Sequence, residues 1–249
     1  MTQQVNCRRR GSYGIDAPYA AAFMAFMVVF ELALAILSGR PRAFLPFLFV
    51  LAIAASYFYA TLRGKFVVWA KLLDNLGLRG DERILDMGCG RGAVLLLAAG
   101  HLTTGRAVGV DLWRRFDQSG NSMEATRRNA DAEGVADRVE LHTANMTALP
   151  FEHNSFDVVL SSFAIHNIKG SAGREKAIDE AVRVLRPGGR MLISDVRATR
   201  QYQARLTKLG MDEVTRRRLG WKYWRYGLLA AMVVVTATKP ASLPLGVTQ

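Results

Sequence analysis

The chain has little cysteine, and this excludes the small secreted folds that depend on disulfides. Its 249 residues include two cysteines, Cys7 and Cys89, which cannot form a disulfide framework. Cys89 stands between two glycines, where a disulfide is implausible, so a reducing compartment fits this usage best. The sequence also lacks a cluster with the ligand spacing of a metal site, and we expect no metal.

Acidic residues are also scarce relative to basic ones. The chain has 33 lysines and arginines against 21 aspartates and glutamates, a formal net charge of +12 at pH 7. Such an excess favours anionic partners, which are either lipid headgroups or nucleic acid. A chain of this length is sufficient for one domain with its own hydrophobic core and an additional segment.

Two long apolar runs near the N-terminus supply that additional segment. Residues 19–38 are apolar except for Glu31, and residues 43–62 contain no charge at all. As helices, runs of this length span about 30 Å, the thickness of the hydrocarbon core of a bilayer. The short break between them predicts an antiparallel helical hairpin in a membrane, and the alternative is a pair of buried helices in a soluble lid. The distribution of arginine and lysine favours cytoplasmic placement of both ends.

A glycine-rich turn follows the first strand predicted after the hairpin. Residues 84–92 read Ile-Leu-Asp-Met-Gly-Cys-Gly-Arg-Gly, with an apolar helical segment directly after them. The glycines let a ligand approach the backbone, and the amide groups at the start of the helix favour a negatively charged ligand group. The spacing matches neither the dinucleotide fingerprint nor a P-loop. It resembles the first motif of class I S-adenosylmethionine-dependent methyltransferases, in which Asp86 precedes the glycines.

Three further stretches extend this resemblance over about residues 66–239. A second predicted strand ends in Asp111, residues 144–151 resemble the adenine-binding corner of the family, and residues 184–189 read Val-Leu-Arg-Pro-Gly-Gly. The family usually has an acid where this chain has Asn145, but an amide oxygen can still accept a hydrogen bond from adenine. The resemblance implies that S-adenosylmethionine contacts Asp86, Gly88, Cys89, Gly90, Asp111, Leu112, Asn145, Met146 and Ser161.

The resemblance and the alternation of strands and helices predict the same fold. We expect an α/β fold with a doubly wound, mostly parallel seven-stranded sheet, preceded by an N-terminal α-helical hairpin. The predicted parts are a basic and loosely ordered tail (1–18), the membrane hairpin (19–63), the methyltransferase domain (64–240) and a tail (241–249). A linker beginning at Gly64 and an amphipathic helix over residues 66–73 join the hairpin to the first strand.

His166 is the residue that we expect to act as a base. It follows the fourth predicted strand, where the family's substrate faces the methyl group, and histidine is a residue type suited to general-base catalysis. A structural hydrogen-bonding role is the alternative. The Asn/Asp-Pro-Pro-aromatic tetrad of some nucleic-acid methyltransferases is missing from this position, which argues against methylation of a base amine.

Aromatic and basic residues alternate in a late loop over residues 219–227, which we expect beside the cofactor. This mixture is typical of a membrane interface, although it also suits stacking on nucleic-acid bases. The sequence thus predicts a membrane-anchored methyltransferase that acts on a small lipophilic or lipid-like acceptor from the cytoplasmic side. The alternatives are an RNA or protein methyltransferase that the hairpin only localises, and a non-catalytic membrane scaffold.

Overall fold

Seven strands form one sheet in the computed structural model, which describes residues 9–223 and 231–241. The strands lie in the order β3-β2-β1-β4-β5-β7-β6. The first five are parallel, and β7 pairs antiparallel to both β5 and β6. The bounds are β1 Arg83–Met87, β2 Arg106–Asp111, β3 Val139–Thr143, β4 Phe156–Ser162, β5 Leu185–Asp195, β6 Asp212–Arg218 and β7 Val233–Thr238.

Helices cover both faces of this sheet. They are α1 Pro18–Ser38, α2 Phe44–Tyr59, α3 Lys65–Asp74, α4 Leu95–Gly100, α5 Met123–Glu133, α6 Ser171–Val184 and α7 Thr199–Lys208. One apolar cluster joins α3 and α4 to one sheet face, and a second joins α6 and α7 to the other. The central strands are buried on both faces, which is why they read as nearly continuous apolar runs. The predicted doubly wound fold with an N-terminal helical hairpin is confirmed.

The hairpin packs through small side chains and exposes its large ones. Ala21 and Ala35 of α1 and Ala54 of α2 are buried, and they let the two helices approach closely. The large apolar side chains of both helices, by contrast, are mostly exposed, among them Phe23, Phe26, Phe30, Leu45 and Phe49. Helix α1 and the continuous helical stretch Pro41–Asp74, which includes α2, are long and apolar enough to cross a membrane, a test that a core helix or a signal sequence also passes.

The structure has a helix where the sequence predicted a linker. A π-helical turn, Ala60–Gly64, joins α2 to α3, so helical structure continues from Pro41 to Asp74. Gly64 lies against the backbone carbonyl of Lys222, and a Cβ at this position would collide with that oxygen. The glycine therefore allows close packing of the helix on the late loop rather than ending it.

The N-terminal segment is also more ordered than predicted over the residues that the structure describes. Gly11 and Ser12 donate backbone hydrogen bonds to side chains of α5, and the hydroxyl of Tyr13 donates to Glu133. Tyr13 and Asp16 are buried. The expectation of a loose tail is therefore wrong for residues 9–17, because their polar groups are bonded to the domain.

Strand β5 begins earlier than predicted. We expected a Pro/Gly break over residues 186–189, but Leu185 already pairs with Phe156, and the pairing then shifts register before Arg190. Gly188 and Gly189 exchange backbone hydrogen bonds with Lys239 beyond the end of β7. The break is thus an irregularity within the strand.

Candidate functional site

The glycine-rich turn leaves β1 with its backbone fixed by the neighbouring strand. The amides of Gly88 and Cys89 both donate to the carbonyl of Val110 on β2. Gly88 has a φ of 77°, and a Cβ there would collide with Ala164. Glycine is required at this position because another residue would meet both backbone strain and a clash.

Asp86 lies beneath this turn in a nearly dry environment. The side chain is buried, and its Oδ1 has no hydrogen-bond partner among the described residues. Burial raises the pKa of this carboxyl to about 7, the amide of Leu95 opposes the rise, and the charge of Asp111 adds to it. A buried polar atom without a partner is costly, so Asp86 suits a ligand that brings a donor or a positive charge.

Asp111 is held in a fixed position at the end of β2. Its Oδ2 accepts from the amide of Gly90 at 2.9 Å, and its Oδ1 accepts from the amide of Trp113 and from the Asn121 side chain. Carboxylate oxygens have further acceptor capacity, so the same group can receive ligand hydroxyls. The aspartate therefore both braces the glycine turn and faces a ligand.

A cavity of about 600 Å³ opens at the carboxyl ends of β1, β2 and β4. This is the place where open α/β sheets bind ligands, and the volume suits a small molecule. Eight of the nine cofactor residues predicted from the sequence line it, namely Asp86, Gly88, Cys89, Gly90, Asp111, Leu112, Asn145 and Met146.

The ninth predicted residue, Ser161, does not line this cavity. Its buried hydroxyl donates to the carbonyl of Met87 at 2.8 Å. Its neighbour Ser162 lines the cavity instead. Successive strand residues point to opposite faces, so an error of one position exchanges the two environments.

Asn145 lines the cavity with its amide oxygen already engaged. Oδ1 accepts from both the amide and the hydroxyl of Thr147 at 3.0 Å, which closes a local turn. A carbonyl oxygen has two lone pairs, and this turn uses them. An adenine amino group can therefore donate to this oxygen, as predicted, only if Thr147 gives up one of its two hydrogen bonds or shares the acceptor.

His166 faces a second and shallower cavity, together with Arg174 and Arg197. Its Nδ1 lies 2.6 Å from Oδ1 of Asp195, and its backbone amide donates to the same carboxylate. The next residue, Asn167, is the one that lines the main cavity. The role of His166 as a base stays a prediction, and in this structure its side chain lines the second cavity rather than the main one.

Two further polar residues of the cavity wall, which the motifs did not identify, come from segments on either side of the hairpin. Lys65 of α3 and Asp16 of the N-terminal segment form a buried ion pair at 3.1 Å. Asp16 also accepts from Gln118, whose Oε1 in turn receives the amide of Arg91 in the glycine turn. A chain of bonded groups thus connects the helix that continues the hairpin to the cofactor turn. The partners are separated by 49 and 102 residues, so no local pattern could identify them.

The described part of the late loop contacts Ser162, which lines the cavity. Tyr223 is fully buried, and its hydroxyl lies 3.1 Å from that of Ser162. Trp221 stacks on Tyr59 at the end of α2 with 5.8 Å between ring centroids. Residues 224–227 of the predicted aromatic and basic loop lie outside the described residues.

These groups fit a ligand that carries an ammonium group at one end and a ribose at the other. Asp86 offers a buried carboxylate oxygen with no partner among the residues that the structure describes, Asp111 offers a fixed carboxylate, and Gly88 leaves room for close approach. The half-buried Met146 and the exposed Leu112 supply apolar surface for a flat ring.

Comparison with known proteins supports the interpretation of the glycine-rich turn as part of a methyltransferase domain. Residues 85–193 match a family model described as a methyltransferase domain. The ubiquinone/menaquinone biosynthesis C-methyltransferase UbiE of Ruegeria sp. (strain TM1040) is 35% identical over 125 residues, which cover 49% of this chain and 45% of that protein. The chain thus spans less than half the length of the first curated relatives it matches.

Solved structures share the architecture at lower identity. The [4+2]-cyclase SpnF aligns with a TM-score of 0.57 and 19% identity, over 70% of this chain and 82% of its own. A geranyl diphosphate methyltransferase in complex with GPP and sinefungin aligns with a TM-score of 0.56 and 19% identity, over 70% of this chain and 78% of its own. At this identity the likeness shows the fold alone, and one of the two proteins is a cyclase.

Proposed function

Because this chain carries a class I S-adenosylmethionine-dependent methyltransferase domain, we propose that it transfers a methyl group to a small lipophilic acceptor at a membrane surface. The observation that carries the proposal is the position of the cavity. Asp16, two residues before α1, and Lys65, directly after the turn that follows α2, both line it. The cavity therefore opens at the root of the apolar hairpin.

The residues at the carboxyl ends of β1 and β2 hold the cofactor in this proposal. Asp86 would accept from its ammonium group, and Asp111 would accept from its ribose hydroxyls. When bound, the cofactor would supply an electrophilic methyl carbon: an electron pair of the acceptor would form the new bond, the carbon–sulfur pair would stay on sulfur, and a neutral acceptor would release a proton to water. The chain's contribution is to align the acceptor with that carbon and to exclude water.

Apolar side chains support the lipophilic character of the acceptor. Phe163, Ala164 and Ile168 line the cavity beyond β4, on the side away from Asp111 in the strand order. An apolar wall with a few polar groups is typical of a small-molecule site. Relatives named as quinone and sterol C-methyltransferases favour the same class of acceptor.

The surface around the cavity mouth supports contact with a bilayer. In the loop after β2, Phe116 is 70% exposed and directly follows the exposed Arg114 and Arg115. The ring of Phe116 lies 4.9 Å from that of Tyr19 on α1. Exposed apolar and aromatic side chains interleaved with arginines suit the headgroup region, where the rings meet the acyl boundary and the arginines meet phosphates.

The proposal is tested by following a labelled methyl group. The full chain in detergent is incubated with methyl-labelled S-adenosylmethionine and one of three fractions of the cells that express it. The fractions are a lipid extract, RNA and soluble protein, each in its own reaction. We expect label in the lipid extract and none when Asp111→Ala replaces the wild type. Label in RNA or protein would establish the alternative methyltransferases, and no transfer despite cofactor binding would favour the scaffold.

A further inference from the structure

Three segments far apart in the sequence meet at one hydroxyl group. Ser162 ends β4, and its Oγ accepts from Nε1–H of Trp69 on α3 at 2.9 Å. The hydroxyl of Tyr223 lies 3.1 Å from the same oxygen. Trp69 and Tyr223 are fully buried, whereas Ser162 is half-buried and lines the main cavity. Two large aromatic side chains therefore fix a small polar group at the cavity wall.

The hydroxyl of Ser162 has one hydrogen-bonding position left after these two contacts. A hydroxyl has one hydrogen and two lone pairs, and an indole N–H can only donate. Trp69 thus uses one lone pair of Ser162, and Tyr223 uses either the second lone pair or the hydrogen. One position remains in either arrangement, and the exposed part of the side chain is in the cavity.

Either hydroxyl group of this pair can be the donor. A phenol is a much stronger acid than an alkyl alcohol, which favours Tyr223 as the donor to Ser162. Both lone pairs of Ser162 are then used, and its own hydrogen is left for the cavity. Two donors on one oxygen also polarise its O–H bond and make it a better donor.

We propose that the hydroxyl of Ser162 donates a hydrogen bond to an oxygen atom of the methyl acceptor. The acceptor class is then a lipophilic molecule with a phenolic, enolic or carbonyl oxygen close to the atom that receives the methyl group. This inference rests on the proposed function and adds a feature of the substrate to it. Trp69 and Tyr223 are positioning residues, since they act on the acceptor through Ser162.

The test compares two probes that differ in a single oxygen. Binding of 4-hexylphenol and of hexylbenzene to the full chain in detergent, saturated with S-adenosylhomocysteine, is measured by titration. Partition into micelles affects every variant equally, so the ratio of the two dissociation constants is compared between variants. We expect Ser162→Ala to reduce the preference for the phenol about tenfold, the loss of roughly one good hydrogen bond.

Ser194→Ala is the matched control. Ser194 pairs with Ser162 in the sheet and is buried, but it does not line the cavity. Its removal should leave the ratio unchanged. Trp69→Phe and Tyr223→Phe keep the aromatic bulk and should each reduce the preference about threefold, which tests the inference even if Ser162→Ala fails to fold.

Several outcomes would overturn the inference. The inference is wrong if Ser162→Ala keeps the preference for the phenol. It is also wrong if Tyr223→Phe raises that preference, since the hydrogen of Ser162 is then bonded to the tyrosine in the wild type. A loss of S-adenosylhomocysteine affinity in Ser162→Ala would assign the serine to the cofactor. None of these results bears on whether the chain methylates lipids, which the labelling experiment decides separately.

Discussion

Single buried polar groups decide what this site can bind. Asp86 has a carboxylate oxygen without a partner in the described part of the chain, and Asp111 has both oxygens bonded. Asp86 therefore needs a hydrogen-bond donor, which a ligand can bring. Asp111 is held in place by its own hydrogen bonds and still has lone pairs that can accept from a ligand. The two aspartates are therefore suited to different ends of the same cofactor.

Replacing Asp86 by asparagine should stabilise the free protein at neutral pH. Burial raises the pKa of Asp86 to about 7, so between about pH 4 and pH 7 the folded chain holds a proton that the unfolded chain has released. The free energy of unfolding therefore falls as the pH rises through this window. Thermal unfolding of the wild type and Asp86→Asn between pH 5 and pH 8 should show this decline in the wild type alone.

The same substitution should weaken cofactor binding. Loss of a charge-assisted hydrogen bond of about 3 kcal/mol corresponds to roughly a 100-fold rise in the dissociation constant of S-adenosylmethionine. Asp137→Asn, at a side chain that is 77% exposed beside Arg138, is the control and should alter neither property. A variant that keeps both the pH dependence and the affinity would remove Asp86 from the site.

The motifs predicted these residues well, because glycine spacing and strand ends are local features. They failed for Ser161 and Ser162, since the face of a residue at the end of a strand depends on register rather than on composition. They also failed to show that His166 pairs with Asp195 outside the main cavity, because a loop conformation decides that. Lys65 and Asp16 come together only through the tertiary fold.

At the scale of elements, the N-terminal segment and the turn after α2 form one unit with the cofactor turn. The hydroxyl of Tyr57 donates to the backbone carbonyl of Asp16, and Lys65 pairs with the side chain of Asp16. Gln118 then links Asp16 to the amide of Arg91. Hairpin, N-terminal segment and glycine turn thus depend on each other.

Asp16→Ala should destabilise this unit and weaken cofactor binding together. Lys65 loses its buried carboxylate partner, and removal of one member of a buried pair costs about 3–5 kcal/mol. Gln118 is then less firmly held against the glycine turn, so we expect a lower melting temperature and a several-fold weaker affinity for S-adenosylmethionine. Asp16→Leu combined with Lys65→Met should recover the melting temperature but not the affinity. Equal recovery of both would mean that Asp16 acts through stability alone.

The elements themselves were largely predictable. Apolar runs and βα alternation gave the strands, the helices and the hairpin, because these patterns report burial directly. The predicted linker at Gly64 and the predicted break before β5 are both wrong. In both cases glycine allows packing or pairing with a distant segment, whereas a local rule interprets a glycine as the end of a helix or strand.

For the whole molecule, the apolar hairpin and the net charge of +12 make different predictions about membrane attachment. If the hairpin is embedded, the protein should remain with membranes during a wash in about 1 M NaCl, where charges are screened beyond about 3 Å. Extraction should require detergent. Release by salt alone would show that basic residues attach the protein and that the hairpin is not inserted.

The most direct test of the account is a calorimetric titration of the detergent-solubilised full chain. S-adenosylmethionine and S-adenosylhomocysteine are titrated separately, with NAD as the control ligand. We predict micromolar binding of the first two and none of NAD, because Asp86 and the spacing of the glycines suit an amino acid end rather than a pyrophosphate. Binding of NAD, or of none of the three, would contradict the proposed cofactor site.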